Sequence, residues 1–175
     1  MTAPLIETER LRLRAHTAAD FTASARLWAD PEIVRHIGGA PSSPNQSWQR
    51  MLRYPGLWAL LGYGYWAVEE KATGAFIGES GLADFKREIS PSIDGAPEAG
   101  WVIATDRAGR GYATEAVTAI LAWCDAHRAE EETVCIIAPD NAASVRVAEK
   151  CGFTGPEKAR FGGANTLLFR RARGG

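Results

Sequence analysis

Residues 98–128 read EAGWVIATDRAGRGYATEAVTAILAWCDAHR, and the order of patterns inside them decides the fold. Ala99 to Ala104 is a short apolar run with the length of a buried strand. Two glycines, Gly109 and Gly111, then break the chain. From Tyr112 onward Ala113, Ala116, Val117, Ile120, Leu121 and Cys124 recur at helical spacing, and the helix is expected to end near Arg128. A strand, a glycine turn and a helix start form an anion site when they follow in that order. Glycine lets the backbone approach a ligand closely, and the first helical N–H groups have no internal acceptor. Those donors and the positive end of the helix dipole suit a phosphate. Arg107 and Arg110 flank the turn with full positive charges. The plainer alternative is a glycine-punctuated connection with no ligand.

The rest of the chain sets the frame around that segment. A length of 175 residues fits one domain, residues 1–175, with a sizeable core. A formal net charge of -1 gives no global attraction to nucleic acid or to a membrane surface. The opening MTAPLIETERLRLR lacks the apolar run of a signal peptide, and no stretch is long and apolar enough to span a bilayer. Cys124, Cys135 and Cys151 have no metal-ligand spacing and read as small core residues of a reduced, cytoplasmic protein. His16, His36 and His127 are scattered, so no metal site is expected.

Taken in order, Arg10 to Ala15 alternates leucine and arginine, the pattern of a half-buried strand. Thr17 is a plausible cap for a helix that turns Phe21, Ala25, Leu27 and Trp28 inward before Pro31. Pro41, Ser42, Ser43 and Pro44 read as a loop. A helix from about Asn45 to Arg53 and a second short one from Leu57 to Leu61 follow. Trp48, Tyr54 and Trp58 there are either core or the wall of an acceptor pocket. Tyr63 to Glu70 and Ala75 to Phe85 form a hairpin across Lys71 to Gly74. Residues 86–97 are a polar loop long enough to reach a neighbouring site. Thr133 to Ala138 is a β-branched central strand. Asp140 or Asn141 caps a helix stopped by Gly152, and Phe153 and Asn165 to Arg170 close the sheet. The order predicts a mixed α/β architecture.

Two nucleotide motifs compete for the glycine turn. Gly109 and Gly111 supply the first two glycines of G-x-G-x-x-G, but Thr114 replaces the third. The acidic residue expected about twenty residues on is displaced, since Asp140 lies twenty-nine past Gly111. A Walker loop is excluded because no G-x-x-x-x-G-K-[ST] occurs.

GRGYATEA at 109–116 is followed by NAASVRVAEKCGF at 141–153. With the opening ETERLRLR at 7–14, these blocks resemble the GNAT superfamily of N-acetyltransferases, and the opening resembles its ribosomal-protein N-terminal acetyltransferase (RimJ/RimL-type) branch. The first position of the family's Q/R-x-x-G-x-G/A signature falls on Ala108. The resemblance implies a GNAT fold: a mostly antiparallel sheet of about seven strands, splayed where acetyl-CoA binds and flanked by helices. The pantetheine arm would pair with backbone near Val102 and Ile103, and the pyrophosphate would lie on Gly109 to Ala113, including Tyr112, with Arg107 and Arg110 beside it. Asn141 would contact the cofactor arm and Ser144 would lie near its sulfur.

For chemistry, the resemblance places Glu98 facing the acceptor cleft as general base. Glu79, mid-strand in IGESG, is the second carboxylate candidate, and Ser144 the candidate acid for the leaving thiolate. Glu115 in the first helical turn reads as a structural partner of the dipole. Arg170, Arg171 and Arg173 read as a solvated basic end, with contact to the CoA 3'-phosphate or to a ribosome as functional alternatives. The expected activity is direct transfer of an acetyl group from acetyl-CoA to a primary amine, with no nucleic acid or membrane partner and a homodimer as the default for the fold. A non-catalytic acyl-CoA-binding protein and a dinucleotide-binding protein are the competing readings.

Overall fold

The computed structural model describes residues 2–175. In chain order it holds strands β1 (Ile6–Glu7) and β2 (Leu11–Arg14), and helices α1 (Phe21–Ala29), α2 (Pro31–Val34) and α3 (Pro44–Leu61). Strands β3 (Tyr65–Glu70), β4 (Ala75–Ala83), β5 (Ile89–Ser90) and β6 (Glu98–Ile103) come next. Helix α4 (Tyr112–His127), β7 (Glu132–Ile137), α5 (Ala142–Lys150), β8 (Thr154–Phe161) and β9 (Ala164–Ala172) complete it. The strands form one sheet in the order β1-β2-β3-β4-β6-β7-β9-β8-β5. Nine strands are therefore present among the described residues, against about seven expected; β1 and β5, two residues each, are too short to show a period. No described helix is long and apolar enough to cross a membrane.

Every strand pair is antiparallel except β6 with β7. That parallel pair is joined through α4, as a crossover helix requires. It is bridged at a single position, Glu98 opposite Val134, and the strands diverge from there. The main core lies where α4 covers the sheet, with Ala116, Val117, Ile120 and Leu121 of α4 packed on Leu11, Val68, Leu82 and Ala99. The buried α4 residues repeat at three and four positions, so one face of the helix is apolar.

Helix α3 differs from expectation. It runs unbroken for 18 residues through Pro55, where a break was predicted. Proline removes one helical bond and crowds the preceding turn, at about 3 kcal/mol or more. The buried stripe of Ser47, Met51, Tyr54 and Trp58 continues past it, and packing that stripe offsets the local cost. Its ends are well defined: Ser43 and Gln46 form a reciprocal capping box and Gly62 ends the helix at φ 74°. The Arg170–Arg173 segment is also corrected. Arg171 is buried and forks onto Asp125 at 3.0 and 2.6 Å, while Arg173 donates to the Asp125 carbonyl. Arg170 pairs with Glu132 at 2.7 Å. These arginines tie β9 to α4 and β7 instead of forming a free basic end.

Candidate active site

The divergence of β6 from β7 leaves backbone groups without a strand partner. Gly78 lies opposite Ile103, and the Ala104 N–H donates to the Ile77 carbonyl at 2.8 Å. Antiparallel bonding alternates, so the backbone of Glu98, Gly100 and Val102 faces β4. The backbone of Ala99, Trp101 and Ile103 faces the gap. The Val134 N–H bond to the Pro97 carbonyl, 3.0 Å, fits the same alternation. Ile103 is therefore an open-edge residue as expected. For Val102 the expectation is corrected: its backbone is committed to β4, and Trp101 takes the place beside Ile103. The Val102 side chain packs instead with Leu27, Trp28 and Val34.

At the end of this open edge the chain turns through Gly109 and Gly111, both left-handed, at φ 75° and 82°. Gly111 is the N-cap of α4 and offers no capping side chain, so the N–H groups of Tyr112, Ala113 and Thr114 keep their orphan status. A Cβ on Gly109 would meet nothing within 4 Å; the backbone there stands open. Arg10, which sequence reasoning passed over, holds the turn from behind. Its guanidinium donates to the Arg110 carbonyl at 2.9 Å and to Glu115 at 2.7 Å. Glu115 also accepts from the Thr8 hydroxyl and the Arg10 N–H at 2.6 and 2.8 Å, which is the structural role foreseen for it. Tyr112 is anchored as well, its hydroxyl donating to Glu70 at 2.6 Å; its side chain is packed away and its backbone N–H remains the available group. Arg107 spends one donor on Asp106 and lies 3.6 Å from Glu70, while Arg110 has no carboxylate partner among the described residues.

A cavity of about 730 Å³ opens beside the gap, lined by residues of α1, α3, β3, β6, β7 and the β8–β9 hairpin. Glu98 and Ser144 both line it, as does Asn141. Asn141 caps α5 by accepting from the Ser144 N–H at 3.1 Å. This fixes the serine at the helix start and leaves the asparagine amide donors free. Glu98 is 6% exposed and receives a fork from Arg87, Nε to Oε2 at 2.6 Å and Nη2 to Oε1 at 2.9 Å. Arg87 comes from the polar 86–97 loop, so that loop does reach the site.

Glu79 does not line the cavity. It is fully enclosed, accepting from the Ser24 hydroxyl at 2.6 Å, the Trp28 indole N–H at 2.9 Å and the Tyr54 hydroxyl at 2.5 Å. The His16 ring nitrogen is 3.7 Å away. Burial alone would raise this carboxyl, but His16, Ser24 and Tyr54 together bring it below the ordinary carboxylate value. Tyr54 meets the cavity in front of Glu79 and stacks on Tyr65 with ring centroids 5.0 Å apart. Burial, with Glu79 adding to it, pushes the Tyr54 hydroxyl well above the usual phenol range. Of the three aromatics weighed on α3, Tyr54 is a cavity wall, Trp58 is core and Trp48 is partly exposed on Phe21. Gly100 is required here, because a Cβ on it would sit 2.1 Å from the Tyr65 hydroxyl. The described residues contain no cluster of three His, Cys, Asp or Glu side chains able to hold a metal.

A splayed parallel strand pair leading to a helix start with unpaired N–H groups, beside an open cavity, is the architecture of an acyl-CoA-dependent transferase. A family model described as an acetyltransferase (GNAT) domain matches residues 10–154, and the chain belongs to that family: it is an acetyltransferase that uses acetyl-CoA. It is similar to the uncharacterized protein YkkB of Bacillus subtilis, 32% identical over 153 residues, covering 83% of this chain and 82% of YkkB. Among solved structures it is similar to a GNAT-family acetyltransferase from Bordetella pertussis, with TM-score 0.84 and 31% identity over 97% of this chain and 100% of that one. The fold also matches spermidine N-acetyltransferase from Vibrio cholerae in complex with CoA and spermine, with TM-score 0.72 and 19% identity over 95% and 97% of the two chains.

Proposed function

We propose that the protein transfers the acetyl group of acetyl-CoA directly to a primary amine bound in the cavity between α1, α3 and the sheet. The observation that carries this reading is the continuity of three features. The open backbone edge at Trp101 and Ile103 suits the amide-bearing pantetheine arm. The unpaired N–H groups after Gly111 suit the pyrophosphate. The cavity begins where the thioester would end.

The amine must be neutral to attack. At pH 7 deprotonation costs a lysine-like amine about 4.6 kcal/mol and an α-amine near pKa 8 only about 1.4 kcal/mol. Glu98 is the carboxylate at the cavity wall that can take this proton, since each oxygen keeps an acceptor position beside its Arg87 bond. Nitrogen then bonds to the thioester carbon and the carbon–sulfur bond breaks; the thiolate takes the Ser144 hydroxyl proton as the serine regains one from the nitrogen of the new amide, and the proton held by Glu98 passes to solvent. Glu79 acts through Tyr54: the Tyr54 hydroxyl donates inward to Glu79, so its lone pairs are aimed at the cavity and can hold the acceptor ammonium. Tyr54 is thus a substrate contact and Glu79 a positioning residue.

The RimJ/RimL resemblance does not fix the acceptor. Its opening block, residues 7–14, is spent on structure. Arg10 clamps the turn, Arg12 pairs with Glu69 at 2.6 Å, and Arg14 forks onto Asp20.

Incubation with acetyl-CoA and a panel of primary amines tests the reading, with free thiol measured against a no-acceptor blank and the acetylated amine identified by mass spectrometry. Acceptor-dependent thiol release with matching acetylated product is expected. CoA binding without turnover across the panel would favour an acyl-CoA-binding protein instead.

A further inference from the structure

The charges on the cavity wall point to the acceptor. Among the described residues, Glu98 is the one carboxylate lining it, and both its oxygens are engaged by Arg87. Glu79 stands behind Tyr54 with no exposed surface. Arg50 and Arg53, on successive turns of α3, line the same cavity, and neither forms an ion pair with a described carboxylate. Arg50 is half-buried. Its guanidinium lies over the Trp28 ring at 3.8 Å and donates only to the Ser42 hydroxyl, at 3.3 and 3.2 Å. The stacking fixes the plane of a fork that still has free donors, which is the geometry that receives a carboxylate. Burial lowers Arg50 from its usual value, with the charge of Glu79 opposing it through space and not through an ion pair.

Resting on the transferase reading, we infer that the acceptor is a small amine that also carries a carboxylate, with the carboxylate received by Arg50 and Arg53 while the amine faces Glu98 and Tyr54. A polycationic acceptor would meet two arginines without an ion-pair partner and a single carboxylate shared with Arg87. The wall therefore selects against polyamines and aminoglycosides, since specificity includes repulsion of the wrong charge.

The test uses ω-amino acids with two to five carbons between amine and carboxylate, each set against its carboxamide and the diamine of equal length. A short acidic peptide with a free N-terminus forms a separate arm, and it should not outperform the best free amino acid. The best amino carboxylate should exceed its amide and diamine in kcat/KM by about tenfold or more, the worth of one charge-assisted contact. Added salt should narrow that ratio. R50Q and R53Q should each shrink the ratio about fivefold or more, the loss of one charge partner acting on the anion and not on the amide or diamine. Arg53 is exposed and makes no intramolecular ion pair, so R53Q keeps the test valid if R50Q folds poorly. An amide or diamine that equals the carboxylate, or a ratio unmoved in both variants, overturns the inference. If no amine turns over, calorimetric titration of the N-acetylated amino acid against its acetylated amide, with and without CoA, reads the same preference. A retained preference supports the anion site and counts only against catalysis, whereas equal binding overturns the site.

Discussion

Replacing Glu79 with alanine removes the acceptor for three buried donors at once: the Ser24 hydroxyl, the Trp28 indole N–H and the Tyr54 hydroxyl. The two hydroxyls can rotate toward other partners, but the indole N–H cannot. Its loss alone costs about 1–3 kcal/mol, and the space left by a fully enclosed side chain adds to it. A total near 3–5 kcal/mol is expected, in the range for breaking a buried charged cluster. For a chain of this size each kcal/mol moves Tm by about 2–4 °C, so E79A should melt roughly 10 °C lower. E79Q is the informative contrast. Its carbonyl oxygen can accept from Trp28 and Tyr54 while its amide donates to the Ser24 oxygen, so the loss should be only about 1–2 kcal/mol. Urea denaturation followed by tryptophan fluorescence measures both. Under a positioning role E79Q should retain turnover within about tenfold, whereas losing a general base costs about 10²-fold or more. Stability of E79A within about 1 kcal/mol of the parent, or E79Q as damaged as E79A, would refute the buried cluster described here.

Other outcomes follow from the site's supports. G111A places a Cβ at φ 82°, 3.4 Å from the Arg10 guanidinium and so in ordinary contact, so the main cost is backbone strain of about 1–2 kcal/mol; thermal melting should fall by a few degrees and CoA affinity should drop with it. R10Q should release the Gly109–Gly111 turn and weaken CoA binding by calorimetry several-fold, with little change in Tm because the Arg10 side chain is 41% exposed. The acid limb of stability should depend on Arg14. Burial raises Asp20, but Arg14 overrides it and holds both Asp20 and Glu69 below their usual values. Depressed carboxylates contribute stability above their unfolded values near 4, lost as pH falls through the folded values. Tm measured from pH 7 to 3 should therefore fall steeply below about pH 4, and R14Q should flatten that limb.

What the sequence made legible was local. Gly109, Gly111 and the spacing from Ala113 to Cys124 announce the turn and helix because glycine and helical periodicity act over a few residues. The expectations that Glu98 faces the acceptor cleft and that Ser144 lies near the cofactor sulfur rested on the family resemblance; that both line one cavity needed the fold. Pro55 misled because the α3 stripe that overrides it is a tertiary effect. Strand β8, reading TGPEKARF, is mostly exposed and has no apolar alternation to reveal it. Arg10, Arg87 and Arg50 escaped notice since their meaning lies in partners far along the chain or across it: Arg10 meets Glu115 over 105 residues. The exchange of Trp101 for Val102 at the open edge needed the β4–β6 register, which no spacing within one strand supplies.

The central claim is that acetyl-CoA lies along the Trp101–Ile103 edge with its pyrophosphate on the turn at Gly109 to Ala113. Calorimetric titration of the full chain with CoA, with pantetheine and with NAD tests it most directly. The account predicts one CoA site per chain, binding by pantetheine weaker by at least about tenfold because it forfeits the phosphate contacts, and no heat from NAD. Equal affinity for CoA and pantetheine, or binding of NAD in place of CoA, would contradict it.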